Sequence, residues 1–203
     1  MRKIAEFKSG DVAKIVGKVE FVDEPLIAPL SKRKCSLYYI QVKQKVSSGK
    51  SSHWKTIIEE TVSCKYVIKE DDSYAYINDK FPKCYIVQDR NYSSGFMNDA
   101  EEDIEKYLIS KGHKSEGFLG LNKTLRYKEG VLEDGEEIAV FGKGDWEDAA
   151  KLNLPEKYGR VLVITSTNDE AVYLSDDTST TKKKVIKRYA AEKNYKREHR
   201  YMK

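Results

Sequence analysis

Apolar residues recur with a period of two over most of this chain. Ala13, Ile15, Val19 and Phe21 alternate with Lys14, Lys18 and Glu20, as in a strand with one face buried and one in water. Tyr38, Ile40, Val42 and Val46 continue the pattern on a second strand, and a Ser/Gly/Lys stretch at 47–52 turns the chain. The longest alternation follows. It sets Trp54, Ile58, Val62, Cys64, Tyr66 and Ile68 on one face and Lys55, Glu59, Lys65 and Lys69 on the other. It therefore predicts that Trp54, Ile58, Val62, Tyr66 and Ile68 face the core. Asp71-Asp72-Ser73 reads as a turn into a strand at 74–77, and 84–87 reads as a further short strand.

The period changes once. Ala100, Ile104, Tyr107 and Leu108 share a helical face; Asn98 stands at the N-cap, Glu101 at the capping-box position, and Gly112 after the last turn. Strand patterning resumes at 124–127. Asp134-Gly135 predicts a hairpin within 131–140, and Asn168-Asp169 predicts a closing hairpin between 161–164 and 171–174. The expected fold is mainly β: an antiparallel, barrel-like sheet with one internal helix over residues 1–177, then a basic C-terminal helix in a tail at 178–203.

Composition narrows the class. With 203 residues the chain has room for one domain with a real core, and 34% charged against 39% hydrophobic residues is a globular balance. Its 14 tyrosines favour strands. No apolar run approaches the roughly 18 residues of a membrane span, and residues 1–10 lack an apolar signal-peptide centre. The expected location is the cytosol. Cys35, Cys64 and Cys84 are an odd number at wide spacing, expected as reduced, partly buried thiols.

The net charge of +4 conceals an asymmetry. Residues 181–203 carry ten Lys or Arg against Glu192 and Glu198, so this segment is +8 and the rest of the chain is −4. Lys182, Lys183, Lys184, Lys187, Arg188, Lys193, Lys196, Arg197 and Arg200 interleave with Tyr189, Tyr195 and Tyr201. Such cations neutralise phosphates, and tyrosines can stack on unpaired bases. The same charges also draw a segment to the periphery of an anionic membrane. A solvated terminal segment is the third reading. These residues are the candidate polyanion site.

Four segments carry a resemblance. GKVEFVDEPLIAPLSKRKCSLYYI, beginning at Gly17, leads through a double-proline loop (Pro25, Pro29) into a Cys-x-x-Tyr-Tyr strand. CKYVIKEDDSYAYI begins at Cys64, LRYKEGVLEDGEEIAVFG begins at Leu125, and the stretch 161–176 ends in Leu-Ser-Asp. In this order, over roughly residues 10–177, they resemble the GIDE/MULAN domain, the non-RING portion of a mitochondrial ubiquitin ligase family with prokaryotic relatives. Tyr66 and Ser73 stand where that family often has Phe and Gly. The resemblance implies a binding or scaffolding module with a protein partner, and it supplies no catalytic residue. A RING finger needs eight Cys or His ligands for two zinc ions, whereas this chain has three of each, none at C-x-x-C spacing. Ligase chemistry is thereby excluded, and the membrane helices of the eukaryotic ligases have no counterpart.

Other chemistry finds no constellation. His53, His113 and His199 lie far apart in polar contexts, no G-x-S-x-G occurs, and Gly117, Gly120, Gly142 and Gly144 fit neither a dinucleotide fingerprint nor a P-loop. The acidic cluster at 99–103 suits a helix N-terminus, and that at 133–137 a solvated turn. Glu129 reads as an acceptor for backbone or tyrosine donors. The expectation is a non-enzymatic module without cofactor or metal, whose basic tail meets an anionic partner. The alternative is a small nucleic-acid-binding protein using a barrel face together with the tail. Aromatics on a basic sheet face favour that alternative; an apolar groove favours a protein or lipid.

Overall fold

The structure, a computed structural model, describes residues 1–80, 82–94, 102–114 and 123–182. Beyond Lys182 the expected basic C-terminal helix therefore lies outside the described residues, as do Asn98, Ala100 and Glu101. The strands are β1 (Val12–Phe21), β2 (Leu26–Ile27), β3 (Lys34–Cys35), β4 (Leu37–Ser48), β5 (Ser51–Ser63), β6 (Tyr66–Glu70), β7 (Ser73–Ile77), β8 (Lys83–Tyr85), β9 (Arg90–Ser94), β10 (Leu125–Leu132), β11 (Glu137–Asp148), β12 (Arg160–Thr165) and β13 (Tyr173–Ser175). The helices are α1 (Glu102–Ser110) and a single turn, α2 (Thr178–Thr181).

Five strands close into a barrel in the order β1-β6-β7-β12-β11, with β11 pairing back onto β1. Taken by position within the barrel, the order is first, second, third, fifth, fourth and back to first. The one parallel junction of this ring joins third to fifth, β7 to β12. That is the closure of a Greek-key barrel of the OB type. A second parallel pair, β8 with β13, extends the sheet beyond the ring, so the sheet is mixed rather than antiparallel throughout. Ile15, Ile68, Ile138, Leu162 and Ile164 fill the barrel at or near zero exposure. Residues Ile4 and Phe7, flanking and opening a short 3-10 turn (Ile4–Glu6), plug one end. Gly144 makes room for that plug, since a Cβ there would lie 2.6 Å from the Phe7 ring.

β1 serves two neighbours, and Gly17 sits where it changes from one to the other. A Cβ at Gly17 would lie 2.6 Å from the Lys69 carbonyl oxygen, so the close backbone approach requires glycine. Gly17→Ala is expected to lower stability by about 1–3 kcal/mol, the usual range for forced overpacking. A denaturant midpoint unchanged from wild type would show that β1 and β6 can separate at no cost.

The two long excursions from the barrel, between β1 and β6 and between β7 and β11, build a second sheet together. Its order is β5-β4-β10-β9, all antiparallel. α1 covers one face with Ile104, Tyr107 and Leu108, over Ile40, Val42, Ile58, Leu125 and Tyr127. Glu60 fastens the helix, accepting from the Tyr107 hydroxyl at 2.8 Å and from Lys111 Nζ at 2.5 Å.

Two expected hairpins are corners instead. The Asp134-Gly135 turn forms, but β10 pairs with β4 and β9 while β11 belongs to the barrel. Gly135 N–H donates to the Val19 carbonyl of β1 at 2.8 Å. β12 and β13 likewise bind different stretches of β11 and not each other. The long alternation after Trp54 also divides. β5 lies in the second sheet and β6 in the barrel, and a bulge at Ile57 shifts the register between the Val42–Ile58 and Lys43–Thr56 pairs. Ile58, Tyr66 and Ile68 are buried as expected and Val62 half-buried, but the extra residue turns Trp54 to the opposite face.

Candidate functional site

Residues directly opposite in adjacent strands share a face. On the side of the second sheet away from α1, the register puts Lys45 opposite Trp54 and Lys43 opposite both Thr56 and Arg126. Gln41 stands opposite both Glu59 and Lys128, and the β9 edge adds Ser93 and Asn91. The barrel covers this face only at its far end, where Leu37 and Leu132 enter the barrel core. Elsewhere it is open: Lys45 and Arg126 are exposed, and Lys43, Lys128 and Trp54 are half-buried.

The four cations have no anionic partner among the described residues, whose ion pairs involve other side chains. Arg126 instead lays its guanidinium 4.0 Å from the centre of the Trp54 ring, a cation–π stack. Glu59, a carboxylate on this part of the face, accepts from the Tyr39 hydroxyl at 2.8 Å and from Gln41 Nε2 at 3.1 Å. A cleft of about 150 Å³ opens between Gln41, Lys43, Trp54, Arg126 and Lys128. A neighbouring one of about 290 Å³ shares Arg126 and Lys128 and reaches Asn91 and Ser93. The arrangement combines unneutralised positive charge with a flat aromatic surface.

The other side chains that chemistry could use serve the structure. Glu129 is 1% exposed and accepts from the Leu30 and Ser31 backbone N–H groups at 2.7 and 2.9 Å, closing the double-proline loop. Arg33 bonds Glu133 and Asp89 beside it. A cleft of about 620 Å³ at the junction of sheet and barrel contains Cys64 and Cys84. Burial pushes the Cys64 thiol up and that of Cys84 to about 11; burial likewise raises Cys35 to about 11. A thiol is a nucleophile only as thiolate. At neutral pH Cys35 and Cys84 are therefore expected to react with a disulfide reagent about 100-fold more slowly in the native protein than in denaturant. Immediate modification of all three thiols in the native state would overturn this.

Of the expected polyanion residues, Lys182 is exposed just beyond α2, and Lys183, Lys184, Lys187, Arg188, Lys193, Lys196, Arg197 and Arg200 lie outside the described residues. α2 itself is docked on the barrel: Thr181 is 6% exposed, and Lys14 Nζ donates to the Thr180 carbonyl at 2.7 Å. His53 is exposed and His113 half-buried, and no three potential metal-ligating side chains converge among the described residues. The open face was not foreseen from sequence, although each of its two inner strands carries two cations at two-residue spacing, Lys43/Lys45 and Arg126/Lys128. Comparison with protein-family models, curated proteins and solved structures finds no match.

Proposed function

We propose that this chain is a non-catalytic binding module of the GIDE/MULAN-like type whose anionic partner is a nucleic acid. The open face of the second sheet holds it, and the basic tail adds charge. The observation that carries this reading is the set of four cations around Trp54 on one open sheet face, without an anionic partner among the described residues. Cations displace counterions from a phosphate backbone, and an aromatic ring accepts a base, which a simple acidic protein surface does not offer.

The barrel supports the reading at the level of fold analogy alone, since OB-type barrels commonly bind oligonucleotides. The usual face of such a barrel is closed in this protein. Residues on the outside of β6, β7 and β12 pack against a segment containing Ala149, Leu154 and Tyr158, with Tyr158 edge-on to Tyr74 at 4.9 Å. The second sheet, grown from the barrel's own excursions, offers the surface that the barrel lacks. A second aromatic pair among the described residues, exposed Tyr85 stacked on half-buried Tyr173, has Lys83 beside it, and that amine donates to the Tyr173 hydroxyl at 3.1 Å.

Fluorescence anisotropy with labelled oligonucleotides, set beside sedimentation with anionic vesicles, tests the proposal. Oligonucleotide binding is expected, with log K falling linearly against log salt. Binding to vesicles alone, or to neither probe at low salt, would overturn it.

A further inference from the structure

We infer that the occupant of the open face is a single strand, running along β4 and β10 with one base stacked on the Trp54–Arg126 pair. This rests on the nucleic-acid reading above and narrows it. Lys43 and Lys45 on one strand, and Arg126 and Lys128 on its neighbour, repeat every second residue, about 6.8 Å along the strand. That repeat is comparable with the separation of successive phosphates along an extended single strand. Two rows of cations side by side therefore make a track for a backbone rather than a single anion site.

The aromatic pair separates single strand from duplex. In a duplex the base faces are hidden in the stack, and a protein meets only phosphates and groove edges. Trp54 and the Arg126 guanidinium would then find no ring to receive. An unpaired base can stack on either plane. The cleft bounded by Trp54, Arg126, Lys43, Lys128 and Gln41, about 150 Å³, is of the size of one planar heterocycle. The adjoining cleft shares Arg126 and Lys128 and lies across β10 toward β9, beside the track, where Asn91 at its rim offers an amide to the edge of a base splayed from the backbone. The bulge at Ile57 is the device that delivers Trp54 to this face. Without it the indole would point under α1 with Ile58.

The experiment compares three labelled probes of equal length at one salt concentration: a single strand, the same strand without bases, and a duplex. Wild-type protein is expected to bind the single strand about 5- to 150-fold more tightly than the base-free strand, the range for one stacked base. Trp54→Ala should remove that preference while leaving affinity for the base-free strand unchanged, and Trp54→Phe should restore part of it. In a Trp146→Phe background, Trp54 emission should be quenched by the single strand alone. Equal affinity for the strands with and without bases, or tighter binding of duplex, would overturn the inference while the polyanion reading stands. Failure of all three probes to bind would remove both.

Discussion

Replacing Glu129 by alanine is expected to lower the stability of this protein by about 3 kcal/mol or more. The carboxylate lies at 1% exposure and accepts the backbone N–H groups of Leu30 and Ser31. Hydrogen bonds to a charged partner are each worth about 1.5–3 kcal/mol, and deletion leaves two donors without their acceptor. The loss spreads because the loop it holds has its own packing. Leu30 belongs to the core beneath α1, and Ala28 packs with Cys35 and Val131. Glu129→Gln keeps one acceptor oxygen but turns an amide toward the other N–H, so it should fall between alanine and wild type. Urea unfolding of the three proteins measures this. A Glu129→Ala midpoint equal to wild type would mean that the loop holds without the carboxylate.

Much of the strand content was legible because burial on one face writes a period of two into the sequence. β1, β4 and the β6–β7 hairpin, with its Asp71-Asp72 turn, lie where the alternation puts them. Ile104, Tyr107 and Leu108 lie where the helical period puts them. Pairing partners were not legible. A turn signal such as Asp134-Gly135 reports a local change of direction, whereas the partner of each flanking strand depends on distant residues. β10 and β11 are each interior strands of different sheets, so both are apolar enough to be read as one hairpin. The parallel junctions lie further from reach still, since β7 meets β12 across more than half of the barrel's sequence. Ile4 and Phe7, fully part of the core, come from a segment too short to show any period.

The open face is not legible in the sequence for a related reason. A bulge has no sequence mark in this strand, so the alternation places Trp54 with Ile58 and Val62 on the apolar side. Charge counting by segment also averages the face away. The pairs Lys43/Lys45 and Arg126/Lys128 are far apart in the chain, with Glu59, Glu60 and Glu129 among their neighbours, whereas the tail's cations are concentrated in one segment. Only register brings the four together and sends Glu60 and Glu129 to the other side.

Reversing two charges of the face, Lys43→Glu with Lys128→Glu, is expected to weaken single-strand binding on the order of 100-fold near physiological salt. Each phosphate contact contributes about 0.7 to the salt slope for a single strand, so the double variant should lower the slope by about 1.4. Both side chains lie away from the buried face, so thermal unfolding should be unchanged. The tail is separated from this effect by ending the chain after Lys182, which keeps α2 and the buried Thr181 on the barrel. That truncation should leave the protein folded and reduce the slope further, because it removes the cations at 183–203 and the phosphate contacts they would add. The preference for a strand with bases over one without should survive truncation and fail in Trp54→Ala. If truncation abolishes all binding and the double reversal changes nothing, the tail alone is the polyanion site and the open face is a bystander.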